Sequence, residues 1–365
     1  MNPLLPATLL AVSVVTTSYA TSDHRPASDL PPGGLAATQV PQFVMIGFDD
    51  NPNLEPMEWI LDFLAEKRNP AGLGQAATFD NAPVRGAFYS NGRYLDPSLK
   101  LREVHLRAHD EGHELGNHTY SHHQGGEFTV EEWLEEMRQN RRALVKAGIP
   151  ATDQIGFRTP FLAYNAATFA AIAEFGFVYD TTIEEGNQPD QDGTNYLWPY
   201  TLDAGSPGNA LSADQGQVER VASHPGVWEI PLHQFMVPKD ELCEHYGVPA
   251  GLRQRIYHNV KTHEGWIWNR EAGKITGLDW NVLEMAHLDG PDFLAILKYT
   301  LDLRLAGNRA PLMVGGHTQL YPVSKPDRRE AMEAFIDYAL SKTEVRLVTP
   351  RQVLEWLRKP VALAK

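Results

Sequence analysis

The sequence predicts an α/β fold in which short strands alternate with helices. From Pro41 onward the apolar period switches repeatedly between strand-like runs and helical stripes, the pattern of successive β–α units. With 42% hydrophobic and 10% aromatic residues, the 365-residue chain has material for one large core, and β/α barrels with inserted loops reach this size as single domains. Polar clusters directly follow several strand-like runs, and in β/α barrels catalytic groups sit at the C-terminal ends of strands.

Taken in order, residues 1–20 (MNPLLPATLLAVSVVTTSYA) hold a short apolar stretch followed by Ser18 and Ala20, small residues placed as in a signal peptide. A secreted or periplasmic location is therefore expected. Residues 21–40, rich in Pro, Gly and Ser, read as a flexible lead-in, and the catalytic domain is assigned to 41–360. Strands are expected at Phe43–Phe48, Val84–Ser90, His113–Asn117, Ile155–Arg158, Phe177–Asp180, Val227–Leu232, Pro311–Gly315 and Val345–Val348.

Between them, Met57, Ile60, Leu61 and Leu64 follow helical spacing, as do Val130, Trp133, Leu134 and Met137. Thr129 and Glu132 form a capping-box signature for the second of these helices, and Gly148 and Pro150 end it. Asn165 and Gly176 bracket a further helix. Gly290-Pro291 and Thr349-Pro350 place proline in the first turn of two more. Residues 186–225, dense in Gly, Asn, Asp and Pro, and 236–290, which carry Tyr257, Trp266, Trp268 and Trp280, read as insertions. The tryptophans either pack the second insertion onto the domain, the favoured reading, or present faces that stack on sugar rings.

A formal net charge of −14 without a basic stripe argues against nucleic acid and anionic lipid surfaces, since each requires clustered Lys and Arg. No segment after the N-terminus is long and apolar enough to span a bilayer. The single cysteine, Cys243, excludes an internal disulfide and reads as a core residue.

Four clusters carry the chemistry: Asp49-Asp50 after FVMIGF, His118-Thr-Tyr-Ser-His122 after HELGN, Arg158-Thr-Pro-Phe161 after IGF, and His317 after LMVGG. Two histidines four apart plus a carboxylate from another strand make a three-ligand zinc site with a position left open, the arrangement that hydrolysis needs. One of the paired aspartates can bind metal while the other accepts a proton. His123 adjoins His122, so either can be the second imidazole ligand. Asn117-His-Thr119 also matches a glycosylation pattern, but its place inside the cluster argues against that use.

These motifs resemble those of the polysaccharide deacetylases of carbohydrate esterase family four: Phe-Asp-Asp at Phe48–Asp50, His-Thr-x-x-His at His118–His122, Arg-x-Pro-Phe at Arg158–Phe161 and a late His317. Within that family VRGAFYSNGRYL, FVYDTTI, LWPYTLD, VWEIPL and VRLVTPRQVLEWL are most similar to animal-type chitin deacetylases. The resemblance implies a distorted, incomplete (β/α) barrel of about seven parallel strands with long loop insertions. It implies Asp49 as general base, Asp50, His118 and His122 as ligands of Zn2+ or another divalent transition metal, and His317 as general acid. Arg158 would orient Asp49, the Phe161 amide would stabilise an oxyanion, and Pro160 would lie in the substrate pocket.

The sequence departs from the family at Gly47, where Thr or Ser is usual, and at Asn51, where Gly is frequent. The family's Asp-beside-Trp motif, which orients the late histidine, is read as Trp228-Glu229, with Glu229 either that orienting group or a surface carboxylate. The expected reaction is hydrolysis of N-acetyl groups on a chitin-like carbohydrate. An O-acetyl esterase acting on acetylated xylan and a carbohydrate-binding homologue without turnover are the alternatives.

Overall fold

The computed structural model describes residues 22–214 and 218–364, so the expected signal peptide lies outside the described residues. Its strands are β1 (Gln42–Asp50), β2 (Ala87–Ser90), β3 (Glu114–Asn117), β4 (Gly156–Phe157), β5 (Tyr179–Asp180), β6 (Glu184–Glu185), β7 (Tyr200–Thr201), β8 (Trp228–Glu229), β9 (Leu232–His233), β10 (Phe235–Met236), β11 (Lys274–Ile275), β12 (Leu312–His317) and β13 (Val345–Leu347). The main sheet has nine strands in the order β12-β1-β2-β3-β4-β5-β8-β7, with β13 joined to β1. It curls into a half-barrel in which every neighbouring pair is parallel except β7–β8.

β1 is the hub. Val44–Asp49 pairs with Leu312–His317 on one side, while on the other Gln42–Val44 meets Val345–Leu347 and Gly47–Asp50 meets Ala87–Ser90. Because neighbours and helices cover both faces, β1 is buried from Gln42 to Asp49, which explains an unbroken apolar run where a half-exposed strand would alternate. The register sets Asp49 beside His317 and Asp50 beside Ser90, which in turn faces Asn117. Four strand ends thus deliver their polar residues to one rim.

The helices follow their local signals. Leu54–Ala65 buries Met57, Ile60, Leu61 and Leu64. Val130–Lys146 starts at the Thr129–Glu132 capping box and buries Trp133, Leu134 and Met137. Ala166–Phe175 starts at Asn165 and ends at Gly176 in the left-handed conformation. Cys243 is fully buried.

The structure corrects several expectations. Pairing in the second strand begins at Ala87 rather than Val84. The run expected as one strand at Val227–Leu232 is split: β8 belongs to the main sheet, whereas β9 pairs with β6 in a separate two-stranded sheet. The 186–225 stretch supplies the antiparallel edge strand β7, which makes the sheet wider than the roughly seven strands expected.

Residues 22–40 do not behave as a free lead-in. Thr201 N–H donates to the Arg25 carbonyl at 2.8 Å, Trp198 N–H to the Ser28 carbonyl at 2.9 Å, and Asp23 accepts from Arg358 at 2.8 Å. Their partners lie more than 160 residues away, so composition alone could not anticipate them. The 236–290 insertion is anchored by β10 and β11, which pair Phe235 with Ile275, and by the helix Leu252–His263, which buries Leu252, Ile256 and Val260. Packing accounts for Trp268, at 4% exposure, but Trp266 and Trp280 are 45% and 46% exposed.

Candidate active site

The rim of the half-barrel gathers Asp49 and Asp50 from the end of β1, His118 and His122 from the loop after β3, and His317 from the end of β12. Their common cleft, about 470 Å³, has the exposed rings of Phe161 and Trp280 at its edge. Asp50 and Asn51 adopt left-handed backbone, φ 67° and 52°, a conformation that short polar side chains tolerate. Asn51 secures the turn by donating its amide to the Phe48 carbonyl at 3.0 Å and to Ser90 Oγ at 3.1 Å. That gives a reason for Asn where glycine is frequent.

Gly47 has a similar explanation. A Cβ there would stand 3.2 Å from both the Tyr89 ring and the Met313 sulfur, so glycine lets the Tyr89 ring lie beneath the Arg158 guanidinium at 4.6 Å. Arg158 is fully buried. It donates to Asp49 Oδ1 at 2.8 Å and to the Thr181 carbonyl at 3.0 Å, which fixes the direction of the Asp49 carboxylate.

Asp50 Oδ1 is buried, takes no hydrogen bond among the described residues, and faces His122 Nε2 at 2.9 Å and His118 Nε2 at 3.5 Å. One ligand atom from each of these three residues lies within 4.8 Å of the others. His118 Nδ1 is 2.8 Å from the Arg158 carbonyl oxygen, so it donates its N–H there and turns Nε2 toward Asp50. Gln319 donates to Asp50 Oδ2 at 2.7 Å. Burial would raise the Asp50 carboxyl, but the two imidazoles beside it hold it well below the usual carboxylate range.

An orphaned carboxylate oxygen opposite two imidazole nitrogens fits a divalent transition metal, with room for a fourth ligand from the cleft. His122 adopts φ 56° and turns toward Asp50, whereas His123 is exposed and sits edge-on to Phe128. The structure thus brings His122, and not His123, to Asp50 and His118. Asn117 is fully buried and donates to the Met137 carbonyl, so its glycosylation pattern has no accessible acceptor.

His317 is oriented by a residue that sequence reasoning passed over. Asp279 Oδ1 lies 2.7 Å from His317 Nδ1, and Asp279 Oδ2 accepts the His317 backbone N–H at 2.8 Å. Asp279 reaches this place because Leu278 bridges to Gly315 and Gly315 N–H donates to the Gly277 carbonyl at 2.9 Å. A Cβ at Gly315 would fall 2.3 Å from Leu278, so the double glycine before His317 permits the approach. Burial would lower the His317 pKa, but Asp279, with Asp49 and Asp50 nearby, raises it to about 9. The ring is therefore an imidazolium at neutral pH, with Nε2 as its other donor.

Trp228 and Glu229 do not take that role. Trp228 donates its indole N–H to Asp23 at 2.8 Å, and Glu229 is fully buried beneath the sheet, accepting the Ile183 N–H at 3.3 Å. Burial, with Asp180 and Glu185 close by, raises the Glu229 carboxyl well above its ordinary value. Glu229 is enclosed because β5 and β7 flank β8 on both sides. The residue that bonds His317, Asp279, stands beside Trp280 in sequence, inside a segment read only as insertion packing. Pro160 is also displaced from its expected role: it is buried at the start of the turn Pro160–Leu162 and does not line the cleft, whereas Phe161, at φ 58°, does. The Phe161 ring lies 4.6 Å from the His122 ring.

Residues 36–179 match the family model for polysaccharide deacetylase. The chain is 26% identical over 339 residues to chitin deacetylase 1 of Bombyx mori, covering 90% of this chain and 53% of that protein. It is 26% identical over 348 residues to chitin deacetylase 8 of the same organism, covering 93% and 77%. It thus spans about half the length of the first of these relatives. A solved structure from Mycobacterium smegmatis, described as a candidate polysaccharide deacetylase, superposes with a TM-score of 0.50 at 17% identity over 92% of this chain and 97% of that one, a likeness of fold.

Proposed function

Starting from a chain that carries a polysaccharide deacetylase domain, we propose that it hydrolyses the N-acetyl groups of an N-acetylglucosamine-containing, chitin-like carbohydrate with the help of a divalent metal, zinc by preference. The observation that carries this reading is the meeting of an Asp-His-His ligand set, a fixed carboxylate and an imidazolium on one cleft. The proposed export of the chain suits an extracellular polysaccharide.

Asp50, His118 and His122 hold the metal, which supplies Lewis acidity toward the acetyl carbonyl. Asp49, held by Arg158, accepts the proton of the attacking water. The Phe161 amide donates to the carbonyl oxygen as negative charge develops there. His317 gives its Nε2 proton to the amine nitrogen as the C–N bond breaks, while Asp279 stabilises the charged ring. The products are acetic acid, which ionises to acetate in solution, and a free amine, and the water proton held on Asp49 passes to His317, directly or through solvent, so that both groups regain their starting state. Phe161 and Trp280 offer flat apolar surfaces for the C–H faces of sugar rings.

Acetate release from chitooligosaccharides, compared with release from acetylated xylan, tests the reading. Hydrolysis of the first and not the second is expected with the zinc-loaded chain, and the reverse would make it an O-acetyl esterase. Asp49→Asn and His317→Ala are each expected to lower kcat by about 10² to 10⁴. Undiminished turnover in either variant would remove that residue from the mechanism.

A further inference from the structure

We infer that Gln319 is a positioning residue of the metal centre: its side-chain amide holds Asp50 as a one-oxygen ligand and so favours a metal of low coordination number. The inference rests on Asp50, His118 and His122 binding a divalent metal, and it adds a residue that lies outside every motif singled out in the sequence. Gln319 stands in the turn Thr318–Leu320, directly after His317 at the end of β12. β12 pairs with β1 in a register that sets His317 beside Asp49, so a long side chain two residues further on comes within reach of Asp50. Gln319 and Asp50 line the same cleft.

The two oxygens of Asp50 have different partners. Oδ1 faces His122 Nε2 at 2.9 Å and His118 Nε2 at 3.5 Å, while Oδ2 accepts the Gln319 amide at 2.7 Å. The last torsion of an aspartate side chain is broad, so the direction of its two oxygens is set by their partners rather than by the residue itself. A donor on Oδ2 therefore aims Oδ1 at the imidazoles. An ionised carboxylate only accepts hydrogen bonds, which turns the NH2 of Gln319 toward Asp50. The other end of that amide, Oε1, is buried and takes no hydrogen bond among the described residues. A neutral donor suits the place: Lys or Arg would set a second cation beside the metal, and Glu would repel Asp50.

The arrangement discriminates between classes of metal. Calcium-like cations collect about six to eight oxygens and often take both from one carboxylate. Four-coordinate transition metals take a single carboxylate oxygen beside imidazole nitrogens. With Oδ2 tied to Gln319, Asp50 offers the second kind of site. Groups that hold a metal ligand from behind change metal affinity by about 10- to 100-fold when they are removed.

The test uses the full chain with Gln319→Met, which is close in volume but has no donor. Gln319→Asn, which keeps the amide but is one methylene shorter, is the second variant. Zinc Kd is read by competition with a chromogenic chelator. The visible absorption of the cobalt(II)-loaded protein is read beside it, because these bands weaken as coordination rises above four. Without the Gln319 bond zinc binding is expected to weaken about 10- to 100-fold, and the cobalt bands to lose intensity as Asp50 becomes free to offer both oxygens. A residue with a merely structural role would leave the cobalt spectrum unchanged. Zinc affinity equal to that of the wild type, or cobalt bands of unaltered intensity, would overturn the assignment. If affinity and spectrum depend on Gln319 but the wild type releases no acetate, the hydrolytic reading fails and the role of Gln319 stands. If acetate is released and the variants match the wild type in zinc affinity and spectrum, the role of Gln319 fails and the hydrolytic reading stands.

Discussion

At the scale of single residues, the His317–Asp279 pair gives the sharpest prediction. A general acid works while protonated; burial would lower the His317 pKa, but Asp279, with Asp49 and Asp50 nearby, raises it to about 9, so in the proposed role activity is expected to extend into alkaline solution. Asp279→Asn removes the charge and is expected to move the alkaline limb of the kcat profile toward neutrality, where an ordinary histidine titrates. A pH–rate series on both proteins checks this, and an unmoved limb would detach Asp279 from proton delivery. The grouping of Asp50, His118 and His122 was legible in the sequence because carboxylate and imidazole at strand ends are distinctive residue types. Asp279 was not recognised although it adjoins Trp280, since its proximity to His317 depends on a bridge between residues 278 and 315 that no local pattern announces. The choice of His122 over His123 likewise needed the left-handed turn at His122.

At the scale of elements, glycine placement and helix caps give two stability predictions. A Cβ at Gly277 would meet the His233 carbonyl oxygen at 2.2 Å, a backbone atom with little freedom to retreat. Gly277→Ala is expected to cost about 1–3 kcal/mol in urea unfolding, and to lower kcat through displacement of Asp279. By contrast, Asn165 caps its helix through Thr168 and also donates to the Gly126 and Phe128 carbonyls at 3.0 and 2.8 Å. Asn165→Ala should cost about 1–2 kcal/mol and leave kcat unchanged, since Asn165 touches no residue of the cleft. Caps and buried strands were readable because their signals are local: Thr129 with Glu132, Asn165 with Gly176, and the apolar run of β1. The edge strand β7, the separate β6–β9 pair and the tying down of residues 22–40 escaped because each is decided by distant backbone partners.

For the whole molecule, the half-barrel holds its polar cleft residues at the ends of β12, β1 and β3, with β2 between the last two, while the 236–290 segment supplies Asp279 and Trp280 of the aromatic rim. The alternating architecture was visible in the periodicity, but its width and its open edge were not, since strand order is a property of pairing. Metal binding to the folded ligand set couples to stability: at about one hundred times its Kd, zinc should stabilise the chain by about 2.7 kcal/mol, read as a rise in Tm that His118→Ala abolishes. The central claim is that this cleft is a metal-dependent deacetylase site. Acetate release from N-acetylated chitooligosaccharide should be measured on the full chain as isolated, after chelation, and after zinc is returned. Release that is lost on chelation and restored by zinc is the expected result; release that persists undiminished in the chelated protein, or that no metal restores, would contradict the claim.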